Sequence, residues 1–394
     1  MRPLRVAMIG QRGVPATWGG IEHHVEEIGA RLAARGHHVT VFCRRGYADP
    51  RAATHRGMEL RPVPTVASKH LEAIVHSGLC SLHAAAGAFD VVHYHALGPG
   101  LLAAPMRLAG SAAVVQTVHG RDDRRAKWGR AARSLLRAGA WSSARVPHET
   151  IAVSEHLGYE YARRYGSVVH HVPNGVRPVH SLPPGDVLAR LGVEAGRYVL
   201  FVGRLVPEKA PDLLVRAFAG IPDPGLRLVV AGGSSHTDPY VSGLRRLARA
   251  DARVILAGWV TGPALDELYA NAACFVLPSE LEGMPLTLLE AASVGTPVVA
   301  SSIPPHVEVL RVAGPGRRLF RTGDGGHLRE ALLTVLADPG AERAGARSLR
   351  AEVLARFDWD RVADRTEEIY RRALAAGRRG HGHRTSREPM VNPT

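Results

Sequence analysis

Two glutamates stand in the segment Ser279-Glu280-Leu281-Glu282-Gly283-Met284-Pro285-Leu286-Thr287-Leu288-Leu289-Glu290, with seven residues between Glu282 and Glu290. A carboxylate pair can act as general acid and base. The turn chemistry argues for a different use. Gly283 permits a sharp turn and Pro285 suits the first turn of a helix. Glu282 therefore falls at the mouth of a loop, and Glu290 on a helix running from Leu286 to Val294. The amides of Met284, Leu286 and Thr287 are then unpaired at a helix N-terminus, which suits a phosphate. A carboxylate can also accept from two vicinal hydroxyls, as a ribose or a sugar ring offers. Upstream, Phe201-Val202-Gly203-Arg204-Leu205-Val206-Pro207-Glu208-Lys209 ends an apolar run in glycine and then supplies two cations. An arginine fork and a lysine point charge suit the oxygens of a diphosphate, whose charge develops as a glycosidic bond breaks. Lys209 is one of only three lysines in the chain. The plainer readings are Glu290 pairing with a nearby arginine and a surface loop of solvated charges.

The opening of the chain carries a second set. Gly10-Gln11-Arg12-Gly13-Val14-Pro15-Ala16-Thr17-Trp18-Gly19-Gly20 joins a short apolar strand to a helix at Ile21. Gly19 and Gly20 at a helix start allow close backbone approach to a phosphate or sugar. A dinucleotide fingerprint would need Gly-x-Gly-x-x-Gly and an acid after the second strand; the spacing differs, and Arg44 occupies the place of the acid. Glu22 and His23 follow the loop and are candidates to line a cleft. His119 ends the apolar run Ala113 to Val118, with a hydrogen-bonded structural histidine as the plainer reading. His93 and His95 are weaker candidates, because 21 histidines make the base rate high. No His/Asp/Glu set has clear metal-ligand spacing and no Asp-x-Asp follows a strand, so no divalent metal or other cofactor is expected.

These residues share one context: each follows an apolar run that reads as a strand. Strands are expected at Arg5 to Ile9, His38 to Cys43, Phe89 to His93, Ala113 to Val118, Thr150 to Ser154 and Val168 to Val172. After a Pro/His/Ser/Gly stretch from Val176 to Gly185, the rhythm restarts at Tyr198 to Val202, Leu226 to Ala231, Val254 to Ala257, Cys274 to Leu277 and Pro297 to Ala300. Strand and helix alternation predicts parallel sheets, and 394 residues exceed the roughly 250–300 at which single cores stop growing. The expectation is α/β: two Rossmann-like doubly wound domains facing a cleft. Residues 1–178 and 179–357 form the domains, 358–376 a final amphipathic helix, and 377–394 a disordered basic tail. Ligands of such sheets bind beyond the carboxyl ends of the strands.

Composition narrows the setting. Cys43, Cys80 and Cys274 are odd in number and widely spaced, which favours buried thiols over disulfides or zinc. No signal peptide or membrane-spanning run is read, so a cytoplasmic setting is expected. Much of the net charge of +14 lies in Arg121 to Arg145, including Lys127, and in the tail with Arg371, Arg372, Arg378, Arg379, Arg384 and Arg387, which suits an anionic partner or equally reflects a general bias towards arginine over lysine. Trp128, Leu135, Leu136 and Trp141 interleave the first cluster. That pattern can lie on an anionic membrane surface, or be an ordinary helix with a solvated arginine face, the reading slightly favoured. No nucleic-acid motif or aromatic platform accompanies it.

Gly203-Arg204-Leu205-x-Pro-Glu-Lys209, followed by the Glu282-to-Glu290 segment, resembles the family 4 retaining glycosyltransferases of GT-B fold, over nearly the whole chain to about residue 375. The resemblance implies transfer of a hexose-type sugar from a nucleoside diphosphate sugar to a glycan or lipid-linked acceptor. It implies that Arg204 and Lys209 hold the diphosphate, Glu282 contacts the transferred sugar, Glu290 holds the ribose, and the Gly19-Gly20 loop approaches the phosphates. His119 would lie near the sugar, and the last helix would cross back to the first domain. Ala210 departs from the glycine common after that lysine. Gly10 to Glu22 and His119 to Trp128 look like bacterial polysaccharide-assembly members. The competing functions are a sugar-nucleotide epimerase on the same fold and a non-enzymatic module binding anionic surfaces through the basic segment.

Overall fold

A computed structural model describes residues 2–17, 19–47, 51–66, 72–109, 112–125, 128–179, 182–234 and 237–382. Trp18, Lys127 and the tail beyond Gly382, with Arg384 and Arg387, lie outside the described residues.

The first half builds one sheet in the order β3-β4-β2-β1-β5-β6-β7-β8. Its strands are β1 (Arg5–Ile9), β2 (His38–Arg44), β3 (Thr54–His55), β4 (Met58–Val63), β5 (Val91–His95), β6 (Ala113–Val118), β7 (Glu149–Ala152) and β8 (His170–His171). The second half builds β11-β10-β9-β12-β13-β14 from β9 (Tyr198–Val202), β10 (Arg227–Ala231), β11 (Val254–Gly258), β12 (Cys274–Leu277), β13 (Val298–Ser301) and β14 (Arg317–Phe320). Every ladder except β3–β4 is parallel. Helices cover both faces of such sheets, so central strands are buried on both sides and read as continuous apolar runs. β9, β12 and β13 are buried at every residue.

Strand order reverses between β1 and β5 in one sheet and between β9 and β12 in the other. These are the topological switch points where a crevice opens beyond the carboxyl ends. The Gly-rich loop leaves β1, Arg204 follows β9, and Glu282 lies between β12 and the helix Leu286–Val294.

The chain passes between the domains at two neighbouring points. Val176 N donates to Phe357 O at 2.7 Å, and Val176 bridges Asp358. Trp359 fills the space beside Gly175, where a Cβ would lie 2.6 Å from the indole. The final helix, Trp359–Gly382, packs on the first domain through the buried Val362, Ile369, Tyr370 and Ala373.

Three expectations change. The strand expected at Phe89 to His93 is Val91–His95, and the one at Val168 to Val172 is only His170–His171. The tail expected to be disordered from Gly377 continues the last helix to Gly382. A helix nucleated by a buried face propagates at little cost per residue, so it carries through the glycines at 377 and 380. All three cysteines are buried and free.

Candidate active site

A cavity of about 610 Å³ opens between the carboxyl edges of the two sheets. Gly19, Gly20, His119, Arg204, Lys209, Glu282, Gly283, Met284, Leu286, Thr287 and Glu290 all line it, as do Glu22, His23 and Arg44. Residues about 270 positions apart in the chain thus line one cavity.

The second-domain side is cationic, with carboxylates held inside it. Lys209 Nζ donates to Glu282 Oε1 at 2.7 Å, and Ser279 Oγ donates to the same oxygen at 2.8 Å. Burial alone would raise the Glu282 carboxyl, but the Lys209 charge and hydrogen bond outweigh it and hold Glu282 below the ordinary carboxylate range. Glu282 is therefore a poor proton donor at neutral pH. The Arg204 side chain makes no hydrogen bond or ion pair among the described residues, its backbone carbonyl accepting from Val206 N at 3.0 Å. Burial, then the nearby Arg125 charge, lowers its pKa to about 10, so it stays cationic at neutral pH. A half-buried, uncommitted guanidinium beside an ammonium is a strong attractor for a diphosphate.

The helix Leu286–Val294 begins at this wall. The amides of Leu288 and Leu289 return to Pro285 O at 3.1 and 3.2 Å, leaving the amides before them outside the helical ladder. Thr287 Oγ1 is buried without a protein partner. One helical turn further on, Glu290 Oε2 accepts from Tyr269 OH at 3.0 Å. That bond orients the carboxylate beside the cavity.

Gly283 is where the domains touch. A Cβ there would lie 1.8 Å from His119 O and 3.1 Å from Gly120 Cα. Only a hydrogen fits between the two backbones. Asn174 Nδ2 donates across the same seam to Met284 O at 3.3 Å.

On the first-domain side, carboxylates of the helix Gly20–Ala34 hold the Gly-rich loop. Glu22 Oε1 accepts from Arg12 N at 3.0 Å and Glu26 Oε2 from Ala16 N at 2.6 Å. Gly19 sits at φ 112, and a Cβ on it would meet Glu22 Oε2 at 2.2 Å. The glycine is thus required by backbone conformation and by the carboxylate beside it. Arg44 pairs with Glu72 at 2.9 Å.

Behind His119 lies a group of imidazoles. His24 Nδ1 faces Asn174 Oδ1 at 2.8 Å, and His95 Nδ1 faces His119 Nε2 at 3.1 Å. Asn174 uses its amide nitrogen on Met284 O, so His24 donates from Nδ1. Nε2 of His95 is buried without a partner. Its proton is better placed on Nδ1, donating to His119, and His119 then carries its own proton on Nδ1. Burial, and then neighbouring imidazoles, push His95 and His119 well below the ordinary histidine range. At neutral pH the group is uncharged.

Several participants were not visible in the sequence. Among the described residues His24, His95 and His119 bring one ring nitrogen each within 4.8 Å of one another, a grouping that no local spacing betrays. His93 and His95 are core residues rather than cleft residues: His93 bonds Tyr370 OH at 2.8 Å and Thr117 Oγ1 at 2.7 Å. Glu208 and Arg125 line the cavity. The Glu208 carboxylate is buried without a hydrogen bond, its nearest cation Arg125 at 4.0 Å. Tyr269 and His306 stand behind the two glutamates. These assignments depend on contacts between distant segments. Arg121 leaves the expected surface cluster: it is buried, paired bidentately with Asp123 at 2.8 Å and with Glu160 at 3.0 Å.

Two doubly wound domains that share a cationic cavity at their carboxyl edges define a glycosyltransferase of GT-B architecture. Residues 18–179 match the model described as Glycosyltransferase Family 4, and residues 190–350 that described as Glycosyl transferases group 1. D-inositol 3-phosphate glycosyltransferase of Acidothermus cellulolyticus is 31% identical over 95% of this chain and 92% of that protein. Alpha-maltose-1-phosphate synthase of Mycolicibacterium smegmatis is 28% identical over 94% of this chain and all of that protein (100%). HepE of Anabaena, solved in complex with UDP-glucose, superposes with a TM-score of 0.77 at 19% identity, over 93% of this chain and 98% of that one. The chain belongs to glycosyltransferase family 4.

Proposed function

We propose that this enzyme is a retaining, metal-independent hexosyltransferase using a nucleoside diphosphate sugar, and that it serves exopolysaccharide or cell-wall glycan synthesis. The observation that carries the reading is the Lys209–Glu282 pair at 2.7 Å, set between the uncommitted Arg204 and the first turn of the helix Leu286–Val294. The second domain holds the donor. Arg204, Lys209 and the amides of Met284, Leu286 and Thr287 take the diphosphate and stabilise charge as it leaves. Glu290 accepts from the ribose hydroxyls. Glu282, charged and fixed by Lys209 and Ser279, accepts from hydroxyls of the sugar. The first domain presents the acceptor, with His119 and the Gly19-Gly20 backbone completing the cleft.

A carboxylate already engaged by an ammonium is a weak nucleophile. That supports attack from the face on which the diphosphate departs, with a phosphate oxygen taking the acceptor proton. These cations and amides supply the positive charge that a divalent ion supplies elsewhere, so transfer should proceed unchanged in excess chelator. The UDP-glucose complex of HepE supports a UDP-hexose as the first donor to try. The bacterial-glycan assignment draws on the Gly10-to-Glu22 and His119-to-Trp128 segments.

The test follows the anomeric proton of the product by NMR, with UDP-, GDP-, ADP- and dTDP-hexoses and an oligosaccharide acceptor. Retention of the donor's configuration is expected. Product of inverted configuration, or a Glu282→Ala enzyme transferring at the parental rate, would sink the assignment.

A further inference from the structure

The helix Arg130–Arg145 carries four arginines and no acidic residue. Its inward face, with Leu136, Gly139, Ala140 and Ser143, packs on the first domain. Its outward face is where a soluble helix would place charge of both signs. Here that face shows Leu135 at 48% and Trp141 at 56% exposure, flanked by the exposed Arg130, Arg137 and Arg145. The neighbouring helix Ala103–Ala109 adds Leu108 at 75% exposure.

Beside this face lies a depression of about 260 Å³ lined by Arg121, Asp123, Arg124, Arg133, Arg137 and Arg164. Arg121 and Arg124 are neutralised by Asp123 and Glu160. Arg133, Arg137 and Arg164 have no carboxylate partner among the described residues, and Arg133 Nε is buried without a hydrogen bond. Guanidinium groups so placed seek phosphate oxygens.

We propose that this face docks on a lipid bilayer containing anionic phospholipids, with headgroup phosphates in the arginine depression and Leu135 and Trp141 at the level of the glycerol backbone. A soluble anion would need the arginines but not an exposed tryptophan and leucines. A second copy of this chain would set arginines against arginines. An anionic bilayer satisfies both, because interfacial helices combine basic residues with tryptophan and leucine. Arg121 lines both the depression and the cavity between the domains. Docking there brings the bilayer to the acceptor side of the cleft. This last point rests on the proposed transferase reading; the docking itself does not.

The experiment is sedimentation of the full chain with vesicles of phosphatidylcholine alone, or of phosphatidylcholine and phosphatidylglycerol in equal parts. Binding is expected only to the anionic vesicles, and to weaken as salt is raised. Each arginine removed should weaken partitioning about fivefold, so Arg130→Glu with Arg137→Glu should lose more than about twentyfold. Leu135→Ser with Trp141→Ser should lose binding with every arginine intact. Nucleotide binding and circular dichroism show that the variants remain folded. Equal binding to both vesicles, binding competed away by inorganic phosphate alone, or variants that sediment like the parent would each overturn the proposal. So would loss of binding in Arg384→Glu with Arg387→Glu instead, or a self-association abolished by the Trp141 change without vesicle binding.

Discussion

Gly283→Ala should separate donor binding from transfer. The added methyl would lie 1.8 Å from His119 O and 2.7 Å from its carbonyl carbon, against ordinary contact near 3.4 Å. Relief requires the two backbones to part by about 1.6 Å at the seam between the domains. Gly283 is not among the positive-φ residues, so the effect is steric rather than backbone strain. The proposed diphosphate and ribose ligands all belong to the second domain and move together. His119 and the Gly19-Gly20 loop belong to the first and are displaced from them. A misplacement of about 1 Å at reacting groups lowers rate about a hundredfold. We therefore expect kcat to fall at least about a hundredfold, roughly 2.7 kcal/mol, while the nucleotide Kd stays within about threefold. Steady-state kinetics with calorimetric titration of the nucleotide measure both. Gly129→Ala is the control, since nothing lies within 4 Å of that position and its φ is −69. A Gly283→Ala enzyme with near-parental kcat would refute the claim that this contact sets the alignment.

Three further outcomes are expected. Ala210 holds a left-handed backbone at φ 45, so Ala210→Gly should raise unfolding stability by about 1 kcal/mol in urea titration; a decrease would contradict this. Lys209→Met leaves Glu282 charged and half-buried without its partner, so it should destabilise by about 3 kcal/mol, largely restored by adding Glu282→Gln; no restoration would mean that the pair is not coupled. Burial lowers His24, His76 and His306 to about 4 and His93 to about 3. Below pH 6.5 the unfolded chain binds protons that the folded one refuses, so stability is lost as pH falls from 6.5 towards 4, by about 3 kcal/mol per group. Thermal melts should drop steeply between pH 7 and pH 5, and an unchanged melting temperature would contradict the neutral imidazole group.

The fold was legible where a residue pattern had one physical solution. Apolar runs buried on both faces gave β9 and β12 at their observed ends, and Gly283 with Pro285 gave the loop and helix that separate the two glutamates. The Lys209 loop was legible because a lysine is rare here and follows a strand. Misreadings arose where tertiary packing decides. Glycine and arginine composition near residue 377 hid a helix anchored by Tyr370 and Ala373 far inside the first domain. His93 and His95 looked like cleft residues, yet two-residue alternation turns both to the core side of β5. His24, Tyr269 and Glu208 gained their places only when strands distant in sequence became neighbours. The outward display of Leu135 and Trp141 was equally hidden, because helical spacing alone does not say which face is covered.

In the proposed function, one cavity grips a nucleoside diphosphate sugar at both ends. Calorimetric titration of UDP, GDP, ADP and dTDP sugars into the parent enzyme and into Arg204→Ala, Glu282→Ala and Glu290→Ala tests it directly. Saturable binding of at least one donor is expected in the parent. Free nucleoside diphosphate should be weakened by Arg204→Ala and Glu290→Ala but not by Glu282→Ala, which should weaken only the sugar-bearing donor. Parental binding that none of these changes disturbs, or no binding of any donor, would contradict it.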